Sequence, residues 1–401
     1  MNTIETEDSL GLTFCDRLPL AFTHGNGSWV WDEAGRAYLD FTSGWGVTCL
    51  GHAHPAMVAA ITAQSARLLQ NPNGGYAYSP ERAALLRLLQ PLLPGTLQHL
   101  YFCNSGAEAN DAALKLARKV TGRHKVISTL GGFHGRSLNT LSVTRGPDNG
   151  ERFLPRLDGV RFVPYADIEA LANTIDADTA AVIVEPVQGE GGIRIPPPGY
   201  LAAVQQLCRQ HGALLIVDEV QTGFGRTGKL FAVEHSTTPL QPDLMTFGKG
   251  IGGGLPFAAF AVTAKVNAKL AKDDHGGTYC GNPFCCAVSH AVISTLLAQE
   301  APQQAARKGV TLLAGLQALQ GRYPQLIRAV RGIGLMNAVE FHEAALARRC
   351  TLACAEQGLL VVPTRGGIIR LLPDLLVAEH DIALALAKLE AALKTLASED
   401  E

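Results

Sequence analysis

The sequence predicts an α/β protein built on a large, mostly parallel sheet. Short apolar runs alternate with helical patterns, and polar or glycine-rich segments directly follow several of those runs. The predicted strands of this sheet are Leu100–Cys103, Lys125–Thr129, Arg161–Pro164, Ala180–Glu185 and Leu214–Val217. Strands that are separated by helices form βαβ units, so we expect these strands to run parallel.

A hairpin and several helices surround these strands. Gly27–Asp32 and Ala37–Phe41 are strand-like and flank a turn, which predicts the hairpin. We expect one helix from Pro55 to about Gln70 and another after Ser79, because serine can cap a helix. Three more helices are predicted: one that ends at Lys119, one over Ile168–Ile175 and one over Tyr200–His211.

A second, smaller α/β domain is predicted after about residue 290. Helical patterns alternate there with strand-like runs at Met336–Phe341, Leu359–Val362 and Ile368–Leu371. We expect an N-terminal arm and part of the small domain in residues 1–50, the large domain in 51–280 and the C-terminal small domain in 281–401.

Composition excludes several classes of partner. With 401 residues and 47% hydrophobic content, the chain can bury a large core. The net charge of −2 shows no basic excess, so we expect neither nucleic acid nor a membrane surface as a partner. Met1–Glu5 lacks a basic-then-apolar signal and no apolar run is long enough to span a bilayer, so we expect a cytoplasmic protein.

The nine cysteines are irregularly spaced and form no C-x-x-C pair. This pattern predicts neither a disulfide framework nor a zinc site, and we expect most of them to be buried thiols. Cys350 and Cys354 have the spacing of one helix face. His52 and His54 have no matching second cluster of ligands, so we predict no metal site.

Lys249 stands between Gly248 and Gly250, just after a short apolar run. A flat ligand can approach an amine closely where the backbone carries so little bulk, and desolvation lowers the pKa of an amine toward nucleophilic competence. The stretch fits a lysine that forms a Schiff base. A surface lysine in a glycine-rich turn is the alternative.

Asp218 follows the apolar run Leu214–Val217, at the expected carboxyl end of a strand, where ligands of open α/β sheets collect. A buried carboxylate there needs a fixed positive charge, such as a protonated pyridinium nitrogen. A lysine that holds an aldehyde and an acid that keeps a ring nitrogen protonated together point to pyridoxal phosphate.

Asn104–Asn110 is a small-residue turn that opens a helix. Its free backbone N–H groups and the positive end of the helix dipole make a natural phosphate cradle. An ordinary capped helix explains the same residues.

Two glycine-rich segments resemble nucleotide-binding motifs incompletely. Gly223–Lys229 nearly matches a P-loop, but Leu230 stands where the magnesium-binding hydroxyl belongs. Gly248–Gly253 fits G-x-G-x-x-G, yet no clear second strand precedes Asp273 and Asp274. A nucleotide-dependent protein and a dehydrogenase are therefore the weaker hypotheses.

Several separated motifs agree with one family in the same order. The chain resembles the class III aminotransferases of fold type I over nearly its whole length, and within them the acetylornithine aminotransferase group most closely. The motifs that carry the resemblance are Leu50–Pro55, Asn104–Asn110, Gly132–Arg136, Glu185–Gly192, Asp218–Lys229, Lys249 with its glycines, and Gly277–Pro283.

The resemblance implies a large domain with a mostly parallel seven-stranded sheet flanked by helices, which binds pyridoxal phosphate, and a smaller α/β domain. Lys249 would bond to the aldehyde of the cofactor and move the proton between substrate and cofactor. Asp218 would pair with the ring nitrogen, and Gln221 would bind the ring hydroxyl. Phe133 and Val220 would stack on the two ring faces.

The resemblance also implies how the phosphate is held. Ser105, Gly106 and Ala107 would bind it within one chain. Thr278 would reach the phosphate of the neighbouring subunit, so each active site of a homodimer borrows residues from the other chain.

For the substrates, the resemblance implies roles for two arginines. Arg370 would bind the α-carboxylate of glutamate, and Arg136 the distal carboxylate of glutamate or the α-carboxylate of the donor. Glu190 would neutralise Arg370 when the donor has no carboxylate there. An ω-amino group would pass from an ornithine-like donor, with N-acetylornithine favoured, to 2-oxoglutarate, as in arginine biosynthesis. Without the motifs, each arginine would be read as part of a surface ion pair.

Two residues depart from the acetylornithine pattern. Trp45 stands where a small or aliphatic residue is usual, and Cys15 aligns with a position where tyrosine is common. The donor therefore stays open among N-acetylornithine, ornithine, succinyl-diaminopimelate, 4-aminobutyrate and diamines. A racemase or epimerase on the same scaffold is a further alternative.

Overall fold

The computed structural model describes residues 1–72, 74–144 and 156–399. Its first elements are helix α1, a three-stranded antiparallel unit and helix α2. They are α1 Thr3–Leu10, β1 Phe22–Asn26, β2 Trp29–Asp32, β3 Ala37–Asp40 and α2 Ser43–Gly46. Strands β2 and β3 pair with Trp29 opposite Leu39 and Trp31 opposite Ala37, which confirms the predicted hairpin.

A seven-stranded sheet forms the centre of the molecule. Its strands are β4 Leu97–Cys103, β5 Lys125–Thr129, β6 Val160–Val163, β7 Thr179–Val184, β8 Leu214–Asp218, β9 Leu244–Phe247 and β10 Ala258–Thr263. Their order across the sheet is β4-β10-β9-β8-β7-β5-β6. Strand β10 runs antiparallel to both of its neighbours, β4 and β9. From β9 through β8, β7 and β5 to β6, every neighbouring pair is parallel. The mostly parallel sheet predicted from the sequence is confirmed.

Helices cover both faces of this sheet, and the alternation of side chains along β7 shows how. Ala181 and Ile183 pack on the same side as the helix that follows β4, whereas Val182 and Val184 pack on the opposite side with other helices. Every residue of β7 is buried, as expected for a parallel strand covered on both faces. The helices of this region are α3 Pro55–Ser65, α4 Pro80–Leu89, α5 Gly106–Thr121, α6 Leu138–Val143, α7 Ile168–Thr174, α8 Tyr200–His211 and α9 Ala264–Asn267.

The C-terminal region contributes a second antiparallel sheet, of order β11-β12-β15-β14, and completes the N-terminal one. The strands of the C-terminal region are β11 Ile327–Ile333, β12 Met336–Phe341, β13 Leu359–Leu360, β14 Val362–Thr364 and β15 Ile368–Leu371. The helices of this region are α10 Pro283–Ala298, α11 Ala301–Arg322, α12 Ala344–Glu356 and α13 Glu379–Glu399. Because β13 pairs in parallel with β3, the first fifty residues and the C-terminal region share a sheet.

Two predicted elements differ from the structure. The helix predicted to reach Gln70 ends at Ser65, because the buried Gln64 amide donates to the Leu68 carbonyl at 2.9 Å and holds the chain in a turn. The strand predicted over Leu359–Val362 is two strands, since the chain leaves the partner β3 and pairs with β15 from Val362 onward.

The boundary predicted near residue 280 falls just before α10, which packs against α3 and α4. The division of the chain into 1–50, 51–280 and 281–401 stays a prediction. Among the described residues, no single helix is long and apolar enough to cross a membrane. Helices α10 and α11 meet that test only as a pair, which is bent by 61° and buries many of its side chains.

Candidate active site

Lys249 begins a short 3-10 helix that follows β9, and its backbone has a left-handed φ of +49°. A non-glycine residue in this region costs about 1–3 kcal/mol, and such strain concentrates at functional sites. The side chain lies in a cavity of about 250 Å³. Within the described parts of the chain, no group accepts a hydrogen bond from its amine. The alternative of a surface lysine in a loose turn is therefore wrong.

The amine of Lys249 is easier to deprotonate than an ordinary lysine. Burial lowers its pKa to about 8, and Arg370 adds to this, whereas the carboxylates of Glu190, Glu185 and Asp218 oppose it. An amine with such a pKa is partly neutral near pH 7 and can attack an aldehyde.

The cavity is built at the carboxyl ends of parallel strands. Segments that follow β4, β5, β7, β8 and β9 each supply part of its wall, because these strand ends meet at one edge of the sheet. The residues that line it are Gly106, Ala107, Asn110, Phe133, His134, Gly135, Arg136, Glu185, Glu190, Asp218, Val220, Gln221 and Lys249.

Asp218 is a buried carboxylate with three hydrogen-bond donors. Its Oδ2 accepts from Asn110 Nδ2 and from His134 Nδ1, both at 2.7 Å, and its Oδ1 accepts from the Val220 N–H at 2.9 Å. The Thr246 hydroxyl donates to Asn110 Oδ1 at 2.7 Å and so orients that amide. These contacts fix the direction in which Asp218 faces the cavity.

His134 shares this network and is itself buried. Burial lowers the pKa of His134, but the hydrogen bond to Asp218 and the negative charges of Asp218 and Glu185 raise it more, so its pKa lies above the ordinary value. Its Nε2 is buried without a hydrogen-bond partner among the described residues. The imidazole therefore acts as a support for Asp218.

Glu185 is a second buried carboxyl group in the cavity wall. Burial raises its pKa to about 7, the charge of Asp218 adds to the rise, and His134 opposes it. The backbone N–H groups of Phe133 and Gly189 donate to its two oxygens at 2.9 and 3.1 Å. Glu185 is the first residue of the motif Glu185–Gly192, but the sequence by itself predicts no role for it.

The amino-terminal end of α5 forms another part of the wall. Gly106 and Ala107 line the cavity, and a Cβ at Gly106 would lie 2.6 Å from Val220 Cγ1. A Cβ at Gly135 would similarly lie 2.6 Å from the Ala107 side chain. Space at these positions exists only because glycine occupies them, which leaves the N–H groups of the helix end accessible to an anion.

Arg370 lies on β15, is fully buried and forms an ion pair at the edge of the cavity. Its Nη2 is 2.7 Å from Glu190 Oε1, and its Nη1 is 3.5 Å from Gln221 Oε1. Burial raises the pKa of Glu190, but Arg370 and Lys249 lower it more, so its pKa lies below the ordinary value. The alternative interpretation of Arg370 as part of a surface ion pair is therefore wrong.

Arg136 is exposed and lines the cavity, with its Cζ 5.9 Å from the centre of the Phe133 ring. No carboxylate in the described parts of the chain forms an ion pair with it. Its guanidinium is therefore available to a ligand that carries an anionic group.

Five predicted site residues are not part of the cavity wall of this chain: Arg370, which lies at its edge, and the four described next. Ser105 caps α5, with its Oγ accepting from the Glu108 N–H at 3.1 Å. Trp45 is 55% exposed with a φ of +65°, and its carbonyl accepts from Gln221 Nε2 at 3.3 Å. Thr278 is exposed, and Cys15 is exposed near the N-terminus. Their roles stay predictions.

The cysteines are free thiols. Six of the nine are buried, as expected, and the Sγ atoms of Cys350 and Cys354 lie 3.9 Å apart on one helix.

Potential metal-binding atoms of Cys103, Glu108 and His275 lie within 4.8 Å of one another. Burial raises the pKa of Cys103 well above its ordinary value, and the Lys115 amine lies 3.0 Å from His275 Nδ1. A thiol that resists ionisation and a neighbouring ammonium both oppose a cation. The absence of a metal site stays a prediction.

The cavity fits pyridoxal phosphate. It holds an amine that has no hydrogen-bond partner among the described residues, a buried carboxylate aimed inward by three donors, and an open helix end bounded by glycines. These groups match an aldehyde, a pyridinium nitrogen and a phosphate respectively. The fold and this cavity thus define an enzyme that uses pyridoxal phosphate.

Comparison with known proteins agrees with this class. A family model described as "Aminotransferase class-III" matches residues 15–393. The acetylornithine aminotransferase of Methanopyrus kandleri is 42% identical over 98% of this chain and 99% of that protein. The chain belongs to the class III aminotransferases, and the predicted family, fold class and cofactor are confirmed.

Solved structures show the same fold. The ornithine aminotransferase of Toxoplasma gondii matches with a TM-score of 0.93 and 31% identity, over 99% of this chain and 95% of that one. An (S)-enantioselective omega-transaminase from Thermomicrobium roseum matches with a TM-score of 0.91 and 33% identity, over 98% of each chain. The nucleotide-dependent hypothesis finds no support in the site, because Gly223–Lys229 lies outside the cavity wall. The dehydrogenase hypothesis finds none either, because Gly248–Gly253 lies within the residues that match the class III aminotransferase family.

The lowered pKa of Lys249 predicts how fast cofactor-free protein recaptures pyridoxal phosphate. Only the neutral amine attacks the aldehyde, so we expect the rate of covalent capture to rise with pH around a midpoint of about 8. The absorbance change on mixing measures this rate, with Lys249→Ala as the baseline. A midpoint near 10.5, the value of an ordinary lysine, would contradict the desolvated setting.

Proposed function

We propose that this enzyme transfers the ω-amino group of an ornithine-like donor, with N-acetylornithine favoured, to 2-oxoglutarate. The products are a semialdehyde and glutamate, formed in two half-reactions. The similarity to the acetylornithine aminotransferase of Methanopyrus kandleri over nearly the full length supports this donor. The enzyme would then act in arginine biosynthesis.

The observation that carries the proposal is the ion pair of the buried Arg370 with the half-buried Glu190 beside Lys249. A buried arginine binds a carboxylate strongly, and here an internal carboxylate already occupies it at 2.7 Å. Glutamate can displace Glu190 with its α-carboxylate. A donor that presents only a terminal amine and its carbon chain at this point leaves the pair intact, because an uncompensated buried charge would be costly.

Arg136 serves the opposite end of the substrate. Its exposed guanidinium binds the α-carboxylate of the donor, or the distal carboxylate of glutamate and 2-oxoglutarate. A single cavity can thus accept two substrates in turn, with one arginine always available and the other available only after Glu190 moves.

The chain's own residues then carry out the proton transfer. When bound, pyridoxal phosphate supplies an electron sink for the bond that breaks at the substrate carbon. Lys249 would hold the cofactor covalently, and its amine would move the proton at the substrate carbon. Asp218 would keep the ring nitrogen protonated, and Gln221 would bind the ring hydroxyl.

The remaining contacts orient the cofactor. Phe133 and Val220, which line the cavity, would hold its ring between them. Gly106 and Ala107 of the cavity wall, with Ser105 before them, would bind its phosphate at the end of α5. Support for this arrangement comes from the glycine-bounded space around Gly106 and from the position of Phe133 in the wall.

A donor screen tests the proposed function. Purified enzyme mixed with 2-oxoglutarate and N-acetylornithine should form glutamate, and the rate with N-acetylornithine should exceed that with ornithine, succinyl-diaminopimelate, 4-aminobutyrate and a diamine. Glutamate release is followed by a coupled assay. No glutamate from N-acetylornithine, beside a good rate with another amine, would remove this donor while leaving the class of reaction intact.

A second candidate is transfer from another amine of the class III range. Trp45, with its indole exposed and its carbonyl bonded to Gln221, favours this alternative, because a bulky residue here narrows or reshapes the donor pocket. The similar omega-transaminase of Thermomicrobium roseum shows that the fold also occurs in enzymes of that name. A racemase or epimerase is a further alternative, which a strict requirement for an oxo-acid acceptor would exclude.

We also infer that the active form is a homodimer with shared active sites. Tyr76 and Tyr78 are 93% and 99% exposed, and Tyr279 is 66% exposed beside Thr278. The Thr278 carbonyl accepts from Gln70 Nε2 at 2.5 Å, which links the two segments that carry these tyrosines. An apolar surface of this kind is expected to be covered by a second copy.

The shared site predicts complementation between two inactive subunits. Thr278→Ala weakens the phosphate contact in the partner's site, whereas Lys249→Ala inactivates its own site. A hybrid of the two variants should therefore be as active in its one lysine-containing site as a hybrid of Lys249→Ala with wild type, because that site borrows the intact Thr278 of the Lys249→Ala subunit. The sites of a Thr278→Ala homodimer should each be less active. Full activity in a monomer, measured by sedimentation at assay concentration, would contradict the shared site.

The absence of nucleic-acid and membrane partners and the cytoplasmic location stay predictions from charge and sequence.

A further inference from the structure

The carboxylate of Glu190 and the backbone that carries it are held by one hairpin. Arg370, on β15, pairs with Glu190 Oε1 at 2.7 Å. Thr364, on β14, donates its hydroxyl to the Glu190 carbonyl oxygen at 3.0 Å, and the same Oγ1 lies 3.5 Å from Glu190 Oε2. Two residues of the hairpin therefore contact one residue of the loop that follows β7.

The pairing of β14 with β15 makes these two contacts parts of one rigid unit. Val362 is opposite Arg370 and Thr364 is opposite Ile368, so the guanidinium and the hydroxyl come from neighbouring strands. The turn between them contains Gly366 and Gly367 at φ +77° and +76°, a conformation that suits glycine.

The backbone of the Glu190 loop is held on its far side as well. Arg331 Nε donates to the Gly192 carbonyl at 2.6 Å, and Arg331 Nη1 contacts Glu340 Oε2 at 2.6 Å. A Cβ at Gly192 would lie 2.4 Å from Ile368 Cδ1, so the loop packs directly against the hairpin. With the backbone fixed on both sides, Glu190 can leave Arg370 only by rotation of its side chain.

We propose that Thr364 is a positioning residue that sets the balance between the two half-reactions. Its hydroxyl fixes the backbone from which Glu190 reaches Arg370, and it stands beside the second carboxylate oxygen of that pair. The inference rests on the proposed function of Glu190 as the removable partner of Arg370. Thr364 does not line the cavity, so it acts through Glu190.

Thr364→Val removes the hydroxyl and keeps the shape. Glu190 then caps Arg370 less well, so we expect the amine half-reaction to lose about fivefold in kcat/KM, as the loss of one neutral hydrogen bond implies. The glutamate half-reaction should be unchanged or show a lower KM, because Arg370 is more readily freed. Both rates are read from the absorbance change of the bound cofactor in single turnovers. Thr364→Ser should restore the wild-type ratio.

A double substitution separates positioning from a general structural effect. In a Glu190→Ala background no carboxylate caps Arg370, so adding Thr364→Val should leave the ratio of the two half-reactions unchanged. An equal change of the ratio with and without Glu190, or no change in either, would overturn the proposal. If Thr364→Val does not fold, Thr364→Ala is compared with Thr364→Ser by the same ratio.

Thr351→Val is the matched control. Thr351 is buried in α12 and donates to the Ala347 carbonyl at 2.8 Å, away from the cavity wall. It should alter stability without altering the ratio. The amine used is whichever one the wild type accepts, so rejection of N-acetylornithine would refute that donor and still leave the role of Thr364 testable.

Discussion

Lys249→Ala should lose nearly all turnover while the chain stays folded. The substitution removes both the covalent link to the cofactor and the group that moves the proton, and loss of acid–base catalysis alone costs about 10²- to 10⁴-fold. Stability should change little, because the amine has no hydrogen-bond partner among the described residues and its burial is unfavourable to its charge. Turnover is measured with glutamate and an oxo acid, and folding by thermal denaturation.

Lys229→Ala is the control for this substitution. Lys229 is exposed, lies in the segment that nearly matches a P-loop and does not line the cavity. It should keep normal turnover. Mass analysis after borohydride reduction should find the cofactor on Lys249 in the wild type and in Lys229→Ala. Normal transamination by Lys249→Ala would show that the catalytic assignment is wrong.

Asp218→Asn should produce the second large effect. A carboxylate that faces a protonated ring nitrogen in a buried site forms a charge pair, and removal of one partner costs about 3–5 kcal/mol. If that loss falls on the transition state, the rate decreases about 100- to 5,000-fold. Stability should fall as well, because an amide cannot accept from Asn110, His134 and Val220 as a carboxylate does.

Asp243→Asn gives a matched comparison. Asp243 precedes β9 and accepts from the Leu215 N–H at 2.9 Å, and burial raises its pKa above the ordinary value. It does not line the catalytic cavity. We expect the turnover of Asp243→Asn to be near that of the wild type. Asp218→Asn should bind the cofactor but react poorly, which the absorbance of the cofactor measures. Asp218→Asn with normal single-turnover rates would contradict its pairing with the ring nitrogen.

The two central residues could be predicted because each follows an apolar strand pattern directly. The end of a parallel strand is where ligands collect, so position in the chain was enough to nominate Lys249 and Asp218. Asn110 and His134 were harder to predict, since their common partner Asp218 is 108 and 84 residues away. The histidine lies within the quoted motif Gly132–Arg136, and the asparagine ends Asn104–Asn110, but neither motif shows by itself which carboxylate it will meet.

Local sequence alone determined that this chain alternates strands with helices, that its glycines open the end of α5, and that a lysine and an aspartate follow buried strands. These features depend on residues that are neighbours in the chain, so periodicity and spacing express them. The resemblance implied that Glu190 pairs with Arg370, but only the tertiary structure decided that Thr364 holds Glu190 and that Glu185 faces the cavity with a raised pKa. Those contacts join segments that are far apart in the sequence, so spacing along the chain does not predict that they lie close together. The order of the strands in the sheet and the later hairpin bring them together.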